Sequence, residues 1–261
     1  MASKHTGQCH ICGVYGELSY EHVPPQSAFN DRRIWVARGE QLFEGGEPEK
    51  LKREQLQSGA GGYTLCVKCN NDTGRYGRAY ADWACQAMEI LERARGAPTL
   101  AYPFRIYPLR IIKQIVAMFF SANAPDFRKE VPYLGRFVLD KHAKGLPPDI
   151  RVHAGYTAGT TSRTVSKSGL ITGSGASLRA HAISEVAFSP FVFVLTLASE
   201  CPEPRLADIS YFALAGYDQQ QYVYISLPVL PIATAYPTDY RTRSEVDRAA
   251  AYALGKGAAM G

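Results

Sequence analysis

Two C-x-x-C pairs, Cys9–Cys12 and Cys66–Cys69, constrain this chain more than any other feature of its 261 residues. Zinc takes four thiolates at tetrahedral angles, and each pair supplies two of them from one tight turn. Gly13, directly after the first pair, lets the backbone turn under such a metal. Six cysteines in a small exported protein would suggest disulfides, but this chain is large and opens without the apolar run of an export signal. A structural zinc on Cys9, Cys12, Cys66 and Cys69 is therefore expected, in a cytoplasmic protein. Cys85 and Cys201 lie outside both pairs and read as buried thiols serving as small apolar groups.

The 53 residues between Cys12 and Cys66 exceed what a bare zinc ribbon needs, so they carry an inserted unit. Residues 18–23 read as a strand that Pro24 and Pro25 must end, and residues 63–65 as a second strand running into the second pair. Between them lies a charged, Gly-containing loop region with one short strand at 34–37. Residues 70–95 predict a helix capped by Asn70, Asn71 or Asp72 and stopped by Gly96 and Pro98, with Tyr76, Tyr80 and Trp83 on its packed face. Residues 108–122 predict a core helix, because Leu109, Ile112, Val116 and Phe119 recur at helical spacing.

Beyond Asn123 come short β-branched and aromatic runs at 135–139, 151–156, 163–171, 178–188, 191–197, 209–213, 222–227 and 230–235, the pattern of antiparallel strands. Tyr236–Arg241 reads as a surface turn, and the last 20 residues as a short helix with a Gly/Ala tail. The expected fold class is α+β, in three parts. Residues 1–98 form a zinc-stabilised unit, 99–241 a helix with an antiparallel β-rich region, and 242–261 a tail.

Tyr20-Glu21-His22-Val23-Pro24-Pro25 stands inside the long interval, and Asn70-Asn71-Asp72-Thr73-Gly74 follows the second pair directly. On these residues the chain resembles the HNH endonucleases, specifically those with a C-x-x-C, an (Asp/Glu)-His-(x)-x-Pro element, and a second C-x-x-C followed at once by His or Asn. The matching motifs span residues 9–74. The resemblance implies a ββα-metal unit in which His22 is the general base and Glu21 and Asn70 hold one catalytic divalent cation. The chemistry agrees: an imidazole titrates near neutral pH and can activate water. Oxygen ligands such as a carboxylate and an amide suit Mg²⁺ or Mn²⁺, which thiolates do not. The chain departs from the family in having Gly59–Gly62 where an Asn is expected, which leaves a backbone carbonyl to orient His22. Asn70 stands where many members have His.

Arg32, Arg33, Lys68, Arg75 and Arg78 flank this element and are candidate phosphate contacts, with local ion pairs to nearby acids as the competing role. Residues 1–100 hold as many acidic as basic side chains, so the formal +5 lies wholly beyond them. The expected partner is nucleic acid, DNA first. No membrane is involved, since no run of 18 apolar residues occurs. Residues 99–261 contain no phosphate loop, Ser-His-Asp signature or metal-ligand cluster. Some HNH proteins of phage and mobile elements carry a similar β-rich extension. The function expected from the resemblance is a metal-dependent endonuclease. A zinc-containing module that binds nucleic acid or protein without cleaving is the alternative, and a purely structural knuckle with function in the β-rich part is the third.

Overall fold

The first cysteine knuckle lies between two antiparallel strands, Thr6–Gln8 (β1) and Tyr15–His22 (β2), in a computed structural model that describes residues 4–37, 41, 52–93, 96–173 and 177–253. Parts of the expected insertion (38–40 and 42–51), the end of the expected helix (94–95) and the Gly/Ala tail lie outside the described residues. Prolines 24 and 25 end β2 at His22, as proline has no N–H to give a ladder. The insertion then makes a short hairpin of Ile34–Ala37 (β3) and Arg53–Leu56 (β4). Gly61–Cys66 (β5) returns antiparallel to β2, so the sheet order is β1-β2-β5.

The single helix expected after the second pair is two helices, Val67–Gly74 (α1) and Gly77–Arg93 (α2). The N-cap of α1 is Cys66, rather than Asn70, Asn71 or Asp72: its backbone is extended and its sulfur accepts from the Cys69 amide at 3.5 Å. The knuckle itself starts the helix. Gly74 and Gly77 weaken helical continuity at the corner, where the buried Tyr76 donates to the Val138 carbonyl at 2.8 Å and pins the turn to the core. Along α2, Tyr80 and Trp83 face inward as their spacing predicts, with the Trp83 ring 4.0 Å from that of Phe191. Cys85, expected to be buried, is exposed on the opposite face of this helix, and Cys201 is half-buried.

Thr99–Ile106 (β6), a strand that Pro103 conceals in the sequence, leads into the core helix Pro108–Ala122 (α3). Leu109, Ile112, Ile115, Val116, Phe119 and Phe120 are fully enclosed. A helix with so broad an apolar face packs at the centre of a protein, where each such side chain contributes about 1.5–3 kcal/mol. Two helices follow, Phe127–Glu130 (α4) and Pro132–Leu139 (α5). The strand expected at 135–139 is therefore helical: Pro132 is pre-set for a first helical turn, and Leu134, Phe137 and Val138 share one buried face.

Ile150–Tyr156 (β7), Arg163–Thr172 (β8), Arg179–Phe188 (β9), Phe191–Leu197 (β10) and Ala207–Asp208 (β11) form an antiparallel sheet of order β11-β7-β10-β9-β8. Four of these strands match their predicted ranges to within a residue. β10 is buried from Phe191 to Thr196 because both of its faces are covered. Phe191, Phe193 and Leu195 belong to the main core, whereas Val192 and Val194 pack with Leu206, Leu230 and Tyr240. The expected strand at 209–213 is a 3-10 turn, Ser210–Leu214, opened by a 2.7 Å bond from the Ser210 amide to Asp208 Oδ1. That at 230–235 is irregular chain laid over the sheet, with the Leu230 amide bonded to the Tyr156 carbonyl at 2.8 Å. Tyr236–Arg241 contains the expected turn, exposed at Tyr236 and Arg241, and the buried Tyr240 anchors it as part of the same strap.

Gln221–Pro228 (β12) pairs with β6, and Arg243–Ala253 (α6) ends the described chain. The fold is α+β, with several antiparallel sheets and six α-helices among the described residues. Among those residues no helix is long and apolar enough to cross a membrane.

Candidate metal centre and the Glu21-His22-Asn70 element

Pairing β2 with β5 brings the two knuckles together. The sulfurs of Cys9, Cys12, Cys66 and Cys69 all lie within 4.8 Å of one another. Cys12 Sγ and Cys66 Sγ are 3.8 Å apart, and a tetrahedron with metal–sulfur bonds of ~2.3 Å has edges of about 3.8 Å. The four sulfurs are close enough together to hold a zinc ion. Cys9 and Cys69 are buried, while Cys12 is exposed. The hydrogen bond with Cys69 pulls the Cys9 thiol down, and the same contact pushes Cys69 up. His10 is no ligand of the cluster; its Nδ1 donates to the Phe120 carbonyl at 3.1 Å and docks the knuckle on the end of α3.

α1 folds back across β2, and this places Asn70. Its Nδ2 donates to Ser19 Oγ at 3.0 Å and to the Tyr20 carbonyl at 3.3 Å, one peptide from Glu21. The amide nitrogen is thereby fixed, and Oδ1 accepts no hydrogen bond among the described residues. Glu21 is 9% exposed, and its carboxylate likewise has no hydrogen-bond or ion-pair partner among the described residues. Burial alone pushes its carboxyl up to about 7. Asn70 is thus held one peptide from a buried carboxylate, with its own amide oxygen unbonded among the described residues.

This shift has a measurable sign. Between the ordinary value near 4.5 and about 7, the folded chain keeps a proton on Glu21 that the unfolded chain has released, so Glu21 lowers stability as pH rises through that window. Glu21→Gln removes the penalty. Without divalent cations the variant is expected to outlast the wild type in urea at pH 8 by up to about 3 kcal/mol, and to match it at pH 4. An equal gap at both pH values would contradict the assignment.

His22 follows Glu21 but, by strand alternation, lies on the other face of β2, where its ring meets that of Tyr20 edge-on at 5.0 Å. Its Nε2 is 3.0 Å from the Ser58 carbonyl. A carbonyl only accepts, so Nε2 carries the proton and Nδ1 is the free lone pair of the neutral ring. No hydrogen bond joins Glu21, His22 and Asn70 to one another among the described residues. The structure brings Asn70 against the strand that carries Glu21 and gives His22 a fixed acceptor of its own.

The basic candidates divide. Lys68 and Arg75 both pair with Asp72, at 2.7 and 2.6 Å, and Arg78 pairs with Asp82 at 2.8 Å. Arg32 and Arg33 are exposed with no ion pair among the described residues. Two participants were invisible in the sequence: Ser19, which anchors Asn70, and Ser58, which contributes only main chain. The one available signal for Ser58 was the glycine run after it, since a Cβ on Gly61 would lie 2.2 Å from the Glu21 carbonyl. The run marks a close approach of two backbones. No protein-family model matches the chain, and no curated protein or solved structure matches it either.

Proposed function

We propose that this protein is a metal-dependent endonuclease of the HNH kind, hydrolysing phosphodiester bonds in nucleic acid, with DNA as the first substrate to test. The observation that carries the reading is the placement of Asn70. The helix that starts at the second cysteine knuckle lays the Asn70 amide against the strand bearing Glu21, whose carboxylate has no partner among the described residues, and His22 ends that same strand. The four-cysteine cluster fixes the corner between strand and helix, a structural task separate from the oxygen-donor site.

In this reading His22 Nδ1 takes a proton from water, the water oxygen bonds to phosphorus, and the bond from phosphorus to the 3′-oxygen breaks, leaving a 5′-phosphate and, after protonation from solvent, a 3′-hydroxyl. Glu21 and Asn70 Oδ1 are the residues that would hold Mg²⁺ or Mn²⁺, which when bound supplies positive charge to the phosphate and the departing oxygen. Ser58 keeps the proton on the far nitrogen of His22, so that the acceptor nitrogen stays free. Arg32 and Arg33 are the cations available for phosphate contacts.

A second reading, a nucleic-acid-binding module without cleavage, is favoured by one observation: Glu21 and His22 lie on opposite faces of β2. Supercoiled plasmid incubated with the protein in Mg²⁺ or Mn²⁺ separates the two. The wild type is expected to nick or linearise it, and His22→Ala to cut roughly 10²–10⁴-fold more slowly while keeping its zinc. A wild type that shifts DNA in a gel but never cuts it establishes the second reading instead.

A further inference from the structure

A main-chain carbonyl can orient an imidazole only if the loop that carries it is immobile. The loop holding Ser58 runs Ser58-Gly59-Ala60-Gly61, among the most freely flexible sequences a chain can have. Its fixation comes from a residue that neither the motif nor any spacing singles out. Asn30 is 1% exposed, and both its amide nitrogen and its amide oxygen are bonded to main chain. Nδ2 donates to the Pro24 carbonyl at 2.6 Å and to the Ala60 carbonyl at 2.8 Å, while Oδ1 accepts from the Ala60 amide at 2.7 Å. Pro24 lies two residues after His22, and Ala60 two residues after Ser58. Asn30 thus clamps together the two segments whose other ends meet in the His22–Ser58 bond.

Two backbone features belong to this clamp. Phe29, a bulky residue, is held at φ 64, a left-handed conformation that strains any non-glycine side chain and persists only when its surroundings require it. Gly59 sits at φ 91, and a Cβ there would lie 2.2 Å from the Asn30 carbonyl. The loop is pressed against Asn30 as closely as backbone allows. Tyr20 and Val23 add bonds from β2 and the residue after it, the Tyr20 hydroxyl to the Gly59 carbonyl at 3.2 Å and the Val23 amide to the Ala60 carbonyl at 3.0 Å.

We infer that Asn30 is the positioning residue for His22, holding the Ser58 carbonyl against Nε2 and so keeping Nδ1 free to accept a proton. Its catalytic consequence rests on the nuclease reading; its effect on the ring does not. Only a short planar amide supplies both donor hydrogens and the acceptor at this reach: aspartate has no donor, and serine cannot span the gap.

The test compares wild type with Asn30→Ala and the isosteric Asn30→Asp, which keeps an acceptor for the Ala60 amide and leaves no cavity. Long-range nitrogen-15 spectra of the neutral His22 ring, assigned with His22→Ala, should show a single Nε2–H tautomer in the wild type and an average of both tautomers in each variant. The zinc content stays unchanged. Cleavage should lose roughly 10²-fold in kcat, the effect of a misplaced catalytic group, with KM little altered. A merely structural Asn30 would lower the melting temperature without moving the tautomer balance. A ring that keeps its wild-type tautomer in both folded variants overturns the inference. The spectra need no activity, so a wild type that cuts nothing ends the nuclease reading while the ring still decides the role of Asn30.

Discussion

Cys69→Ser is expected to strip the zinc from this chain and unfold the sheet β1-β2-β5 together with α1. Cys69 is buried at 2% exposure and sits where three structures meet: the tetrahedral cluster, the first turn of α1, and the sulfur cap from Cys66. Structural zinc in small domains supplies roughly 10–16 kcal/mol of binding free energy that is available only to the folded state. An entire domain is stable by only about 5–15 kcal/mol, so losing the metal removes the margin. The first knuckle is also tied to α3, through the His10 bond to the Phe120 carbonyl and the 2.9 Å bond between Thr64 and Ser121 beside it. Loss of zinc should therefore loosen the end of the core helix as well as the N-terminal sheet. Metal analysis and amide hydrogen exchange check this. The wild type should carry about one zinc per chain, and both Cys69→Ser and a chelator-treated wild type should lose protection in β2, β5 and α1. A variant without zinc that keeps its full melting temperature and protection would show that the cluster holds no structural metal.

Where the sequence was informative, a single local rule decided the structure. The cysteine pairs need only their spacing to be read as a tetrahedral site. Residues 108–122 become α3 because an apolar face that broad has nowhere to go but the centre. Phe191–Leu197 and its neighbours are strands because β-branched and aromatic residues crowd between turn residues. Misreadings arose where two rules competed. In 135–139 the apolar residues lack an evident period, and the deciding residue, Pro132, lies outside the run. At Cys66 the cap is a sulfur, so the Asn70-Asn71-Asp72 triplet that looks like a cap instead lies within the helix, where Asn70 is free to reach Ser19. The strand β6 was concealed by Pro103, which a two-stranded ribbon tolerates because each strand has an open edge.

The candidate site was half legible for a related reason. Glu21, His22 and Asn70 announce themselves as residue types in a recognisable order. What holds them does not: Ser58 acts through a carbonyl that every residue has, and Asn30 joins chain segments 30 residues apart through one buried amide. Main-chain acceptors and clamps across an insertion leave no periodic trace, so only the folded geometry reveals them.

The second large effect is expected at Glu185, which belongs to no motif. Glu185 is fully buried on β9 and binds Arg163 of β8, which is itself 8% exposed, through Nε at 2.8 Å and Nη2 at 2.7 Å. Its second oxygen accepts the Thr238 amide at 2.7 Å, and Arg163 Nη1 reaches the Thr234 carbonyl at 2.9 Å. This ion pair thus fastens the strap of residues 230–241 over the outer face of the five-stranded sheet, with the Tyr240 ring beside the guanidinium. Glu185→Ala leaves a buried arginine uncompensated and an amide without its acceptor, and should cost about 3–5 kcal/mol. Removing both charges, as in Glu185→Leu with Arg163→Met, should recover most of that loss, because the penalty lies in the orphaned charge rather than in any large net gain from the pair. Arg243→Ala, which breaks the exposed pair with Asp247, should cost no more than about 1 kcal/mol. Urea unfolding of the three variants decides the matter: a Glu185→Ala loss as small as that of Arg243→Ala would mean that the strap is held by apolar packing of Leu230 and Tyr240 alone.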